Sequence, residues 1–94
     1  MARMRKRAEE IVVLVTCGKA AEARRIAREL VDQRLAACVN ILEQPVRSIY
    51  RWKGKVEKAT EFLLVIKSSR KLLPALRAEV ERSEERRVGK ECRL

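Results

Sequence analysis

Histidine is absent from this 94-residue chain, and its aromatic residues amount to one Phe, one Tyr and one Trp. Without imidazole, general acid–base work falls to carboxylates, which here stand beside arginines that keep them ionised. With only three glycines there is no Gly-rich phosphate loop, and no Ser/Asp constellation or metal-ligand cluster offers an alternative. The chain is therefore expected not to be an enzyme and to need no obligatory cofactor. Three aromatics also fall short of the stacking platforms and RNP signature of single-strand binders. The cysteines, Cys17, Cys38 and Cys92, are odd in number and lack C-x-x-C spacing, which argues for reduced thiols. No apolar run approaches the ~20 residues of a membrane span. The basic stretch Met1–Arg7 is followed only by the short run Ile11–Val15, too little for a secretory signal. These shortages favour a soluble, cytoplasmic protein with no membrane association.

What the chain has in excess is positive charge, a formal +10 from 23 Lys and Arg against 13 Asp and Glu. Such a surface suits an anionic partner through long-range attraction. Residues 1–10 and 82–94 together hold four of those ten charges, so much of the excess lies at the two ends. Both ends read as disordered, leaving one domain over 11–81.

Ile11–Cys17 is a β-branched run without polar alternation, the pattern of a strand covered on both faces or lying centrally in a sheet with helices over it, and it is expected to be the central strand. From Ala20, apolar residues recur every three or four positions through Ala23, Ile26, Ala27, Leu30 and Val31, predicting a one-sided amphipathic helix. From Ala37 the period changes to two, and Gln44-Pro45 interrupts the strand with a bulge or edge position. Beyond it, Val46, Ser48, Tyr50 and Trp52 share one face while Arg47, Ile49 and Arg51 share the other. A return strand follows over 56–68. A three-residue turn at 53–55 would oppose Arg51 with Glu57 and Arg47 with Glu61, pairs contributing roughly 0.2–1 kcal/mol each; that register is preferred to a two-residue turn, which opposes Ile49 with Lys58. Arms this long extend past one covering helix, so the Tyr50/Trp52 end should project beyond the core. Ser68-Ser69 offers an N-cap to a second helix, and Pro74 places that helix's start near Leu72 or Leu73.

The order strand, helix, strand, strand, helix is the α+β split βαβ arrangement without its last strand. The motifs Val12-Val13-Leu14-Val15-Thr16, Arg34-Leu35-Ala36-Ala37-Cys38-Val39-Asn40-Ile41, Ser48-Ile49-Tyr50-Arg51-Trp52-Lys53-Gly54-Lys55 and Leu63-Leu64-Val65-Ile66-Lys67 resemble the CutA-type divalent-cation tolerance family over about residues 11–81. The resemblance implies a ferredoxin-like, PII-like subunit with a long β-hairpin, assembled as a homotrimer. It also implies a non-enzymatic role in tolerance or homeostasis of copper or another divalent metal ion. Where the family continues into a final strand, this sequence has a charged stretch from about residue 82 that looks foreign, and the chain reads as C-terminally truncated. The family's metal-binding histidine has no counterpart here. Its matching thiol is Cys38; Cys17 lies two positions beyond Val15, where the family carries an occasional cysteine.

Each feature has a plainer reading. Cys38 and Cys17 are candidate ligands for a soft ion, yet a free cysteine commonly serves as a small buried hydrophobe. Ile49, Tyr50, Arg51 and Trp52 are expected to form the subunit interface. The alternative is a basic nucleic-acid-binding module that uses the Tyr50/Trp52 hairpin.

Overall fold

The β-branched run forms the first strand of an antiparallel sheet, and the 3.6-residue stripe after Gly18 folds across it. The computed structural model describes residues 9–83, so the expectations for residues 1–8 and for the charged stretch 84–94 lie outside the described residues. Within these bounds the order is β1 (Glu10–Cys17), α1 (Ala20–Asp32), β2 (Cys38–Ile41), β3 (Val46–Trp52), β4 (Lys55–Ser69), a 3-10 turn (Arg70–Leu72) and α2 (Leu73–Ser83). This is an α+β, ferredoxin-like arrangement. Arg82 and Ser83, which the sequence grouped with the tail, are helical.

The central strand is β4, not β1. Its 62–69 half pairs with β1 on one edge, from Cys17↔Phe62 to Glu10↔Ser69, and its 64–67 segment pairs with β2 on the other. Its first half pairs with β3. Among the described residues β1 has β4 as its one neighbour, so its burial alternates: Val13, Val15 and Cys17 are buried, while Val12 and Leu14 are 59% and 53% exposed. The expectation of a strand covered on both faces fails because both helices lie on one side. Ile26 and Leu30 of α1 and Leu76 and Val80 of α2 close over Val15, Leu64 and Ile66. Each such fully buried aliphatic side chain contributes roughly 1.5–3 kcal/mol.

β2 and β3 are two pieces of one interrupted strand. Ile41 pairs with Leu64 and Val46 with Glu61, so residues 42–45 stand opposite residues 62 and 63. Pro45, which has no N–H to give a ladder, sits in that bulge. Beyond it the hairpin leaves the helices behind; no residue of β3 is buried, and the described residues extend 42 × 24 × 23 Å.

The hairpin register differs from the expected one. Trp52 pairs with Lys55, Arg51 with Val56, Tyr50 with Glu57 and Ile49 with Lys58, around a two-residue turn at Lys53-Gly54. Both turn residues have positive φ, 52° and 79°, as a type I′ turn requires, and its twist matches that of the strands. Continuity of the twisted ladder outweighs the few tenths of a kcal/mol in exposed ion pairs.

Two further local features depart from expectation. Ser69 caps the 3-10 turn without a side-chain hydrogen bond, and the Ser68 hydroxyl instead donates to the Leu35 carbonyl at 2.7 Å. α1 ends in a Schellman motif, in which Arg34 N–H donates to the Val31 carbonyl at 3.0 Å and Leu35 N–H to the Leu30 carbonyl at 2.9 Å. The motif needs a left-handed residue, and Arg34 supplies it at φ 62°. A side chain there costs about 1 kcal/mol relative to glycine. Arg34→Gly should therefore raise stability by roughly 0.5–1 kcal/mol, read as a higher urea midpoint at unchanged slope. A midpoint that falls would show that the Arg34 side chain contributes more than its backbone conformation costs.

Candidate functional site

β4 determines where every candidate residue points. Residues directly opposite one another in the ladder share a face, so Val13, Val15, Cys17, Val39 and Ile41 lie with Phe62, Leu64 and Ile66 on the helix-covered side. Val12, Leu14, Cys38 and Asn40 lie with Val65 and Lys67 on the other side, which the helices leave open. The two candidate thiols are thus on opposite faces of one sheet. Cys17 is fully buried in the core, and Cys38 is half-buried on the open face. One ion cannot bridge them within a single copy. Cys17 packs in the core cluster with Val15, Leu64 and Ile66. Among the described residues, no three Cys, Asp or Glu side chains converge to hold a metal ion.

The arm carries the remaining candidates. Tyr50 is half-buried and Trp52 is 39% exposed, on the face shared with Val46 and Ser48. The Lys53 ammonium lies 5.7 Å from the Trp52 ring centroid, a cation–π contact that holds the indole at the tip. Ile49, 67% exposed, and Val56, 61% exposed, stand on the reverse face with Arg47, Arg51 and Lys58. The ladder places Tyr50 and Trp52 on one face and Ile49 and Arg51 on the other, the division that the alternation of the sequence predicts. Aromatics and most of the arm's bases therefore point away from each other, unlike a base-stacking groove flanked by phosphate contacts.

Burial along β4 also changes sides. In the body Leu64 and Ile66 are buried, whereas in the arm the covered residues are Glu57, Ala59 and Glu61, which alternation places on the face the body leaves open. Glu61 is only 5% exposed. The sequence reading opposed it with Arg47 as a cross-strand charge pair, but Arg47 faces Thr60 and Val46 faces Glu61. The signal that could have found it is a carboxylate on the odd-numbered face of β4, in line with Ala59, Leu63 and Val65.

The family model described as "CutA1 divalent ion tolerance protein" matches residues 11–90. The chain belongs to the CutA1 family. It is 52% identical over 62 residues to mouse Protein CutA, a match covering 66% of this chain and 34% of the relative. It is 46% identical over 71 residues to the divalent-cation tolerance protein CutA of Thermus thermophilus, covering 76% of this chain and 68% of the relative. A solved structure of the divalent cation tolerance protein from Thermus thermophilus superposes with a TM-score of 0.74 at 44% identity, covering 80% of this chain and 71% of that one. The chain thus spans about a third of the length of the mouse relative. That likeness places the fold among CutA1 structures, ferredoxin-like and PII-like. The family match passes residue 82, where the sequence began to look foreign, and runs to residue 90. Among the described residues, no helix is long and apolar enough to cross a membrane.

The arm's geometry depends on Gly54 at φ +79°, where an added Cβ would meet nothing within 4 Å. Gly54→Ala should therefore cost only backbone strain, about 1 kcal/mol, and the loss should appear as faster amide exchange in β3 and the first half of β4. Unchanged arm protection would contradict the type I′ assignment.

Proposed function

We propose that this CutA1-family chain acts in divalent metal-ion tolerance as a non-enzymatic, cytoplasmic homotrimer, with copper as the ion its chemistry suits best. The observation that carries the assembly is the uncovered sheet face, where Val12 and Leu14 are more than half exposed beside half-buried Leu63 and Val65. An exposed apolar strip of this kind, bordered by Asn40 and Lys67, suits an interaction surface. A 94-residue chain also gains from covering it, because small domains bury too little surface to be robust alone. The projecting arm supplies the second half of the contact. Its length past the helices gives it the reach to lie on a neighbouring copy, with Trp52 and Tyr50 as anchors.

Metal recognition rests on the family membership and on Cys38. A thiolate selects soft ions such as Cu(I), but one thiol does not make a site. Cys38 lies on the same open face as the exposed apolar residues, so assembly through that face would bring thiols from separate copies toward one another. No reaction is assigned to the chain; the metal ion is cargo or signal, and the protein's part is to bind.

Light scattering coupled to size exclusion should give three times the chain mass, and a monomer at micromolar concentration would refute the assembly. Trp52→Ala should weaken the oligomer by about 2 kcal/mol or more if the indole is an anchor, read as a dissociation constant at least tenfold higher. Anaerobic Cu(I) titration against a competing chelator should show tighter binding by wild type than by Cys38→Ala. Equal affinity would assign the thiol a purely packing role. Low-salt binding to a single-stranded oligonucleotide, falling steeply as salt rises, would instead support the nucleic-acid reading.

A further inference from the structure

A carboxylate withdrawn from water normally has a counter-charge or a set of hydrogen-bond donors, because leaving one uncompensated costs several kcal/mol. Glu79, 8% exposed, obeys this rule through Arg82, whose Nη2 donates to its Oε2 at 2.6 Å. Glu61, more deeply buried at 5% exposure, does not: among the described residues its side chain makes no hydrogen bond and no ion pair. Val46 stands opposite it, and Ala59 and Leu63 flank it along β4, none with a side-chain group to donate.

The same hairpin shows the complementary deficit. Arg47, Arg51, Lys53, Lys55 and Lys58 are all exposed, and among the described residues none of them forms an ion pair. One buried acid and five bases, none of them in an ion pair among the described residues, lie within fifteen residues of one chain, and the hairpin keeps them apart. Arg47, Arg51 and Lys58 point to the reverse face from Glu61, and Lys53 and Lys55 are at the far tip. The arm therefore cannot neutralise its own acid.

We propose that Glu61 is the charge acceptor of the interface between copies, its carboxylate receiving a basic side chain from the arm of a second copy of this chain. The inference rests on the assembly proposed above and names the contact that fixes its register. An apolar face alone tolerates sliding; a buried carboxylate that must meet one cation does not, and a misplaced neighbour leaves it unpaired. The position fits this role. Glu61 is at the root of the arm, where burial on β4 changes faces, so it is next to the body's open face and within reach of a strand laid across it.

Glu61→Gln keeps the shape and removes the charge. Sedimentation equilibrium of wild type and Glu61→Gln, each at several concentrations, should show the variant's dissociation constant raised ~10-fold or more, with far-UV circular dichroism unchanged. The exposed substitutions Arg47→Gln, Arg51→Gln, Lys53→Gln, Lys55→Gln and Lys58→Gln provide a second measurement that does not depend on how the buried variant folds. One of them should weaken assembly comparably and should add nothing further when combined with Glu61→Gln. A monomeric wild type would overturn both this inference and the assembly on which it rests. An oligomeric wild type whose dissociation constant is unmoved by Glu61→Gln and by all five arm variants would overturn this inference alone.

Discussion

The fifteen-residue strand β4 is the constraint on which the rest of the molecule depends. Its C-terminal half holds β1 on one edge and β2 on the other, and its N-terminal half holds β3, so each ladder in the described residues ends on the same backbone. A strand this long accounts for most of the 42 Å extent of the described residues, whereas α1, at 1.5 Å per residue over thirteen residues, covers only about 20 Å. The helices can therefore shield one half of β4. The other half must project, and it takes β3 with it. The arm follows from a mismatch in length between a strand and the helix packed on it.

That mismatch accounts for the burial pattern. Where helices cover the strand, Leu64 and Ile66 are sealed and Leu63 and Val65 are only half-covered; in the arm, burial moves to the opposite face and centres on Glu61. The bulge at 42–45 is at this changeover, where four residues oppose two and the ladder bends. The polypeptide is thus a helix-backed body joined to a two-stranded arm, and a two-stranded ribbon alone has little independent stability in water. The arm gains from a surface to lie on, and the body has an apolar one to offer.

Much of this was legible in the sequence because periodicity reports on side-chain direction. The stripe from Ala23 to Leu30 located α1, Pro45 located the bulge, and the alternation Val46, Ser48, Tyr50, Trp52 gave the two faces of β3 correctly. Pro74 located the start of α2. Where the reading failed, periodicity carried no information. The run Ile11–Cys17 shows that both faces of β1 are apolar but not what covers each; inferring a central strand assumed that the cover came from the same chain. The hairpin register failed for a different reason. Ion pairing favoured a three-residue turn, yet left-handed backbone at Lys53-Gly54 decided it, and lysine is not a residue that announces a type I′ turn. The separation of Cys17 from Cys38 was recoverable in principle, since it requires only the register of two strands on a third.

Glu61 shows why a polar residue in an apolar row carries more information than the row itself. The aliphatic residues on the open face would be satisfied by any apolar cover, because the hydrophobic effect is non-directional. A buried carboxylate constrains both the chemistry and the position of what lies over it, since its desolvation is offset only by a cation or hydrogen-bond donors placed at hydrogen-bond distance. The single chain places such a group at the root of the arm and holds all five of the arm's bases away from it. Folding thus leaves a buried acid at the root of one hairpin and its bases on the reverse face or at the tip. Such an arm cannot neutralise its own acid, and in the proposed assembly that neutralisation falls to a second copy.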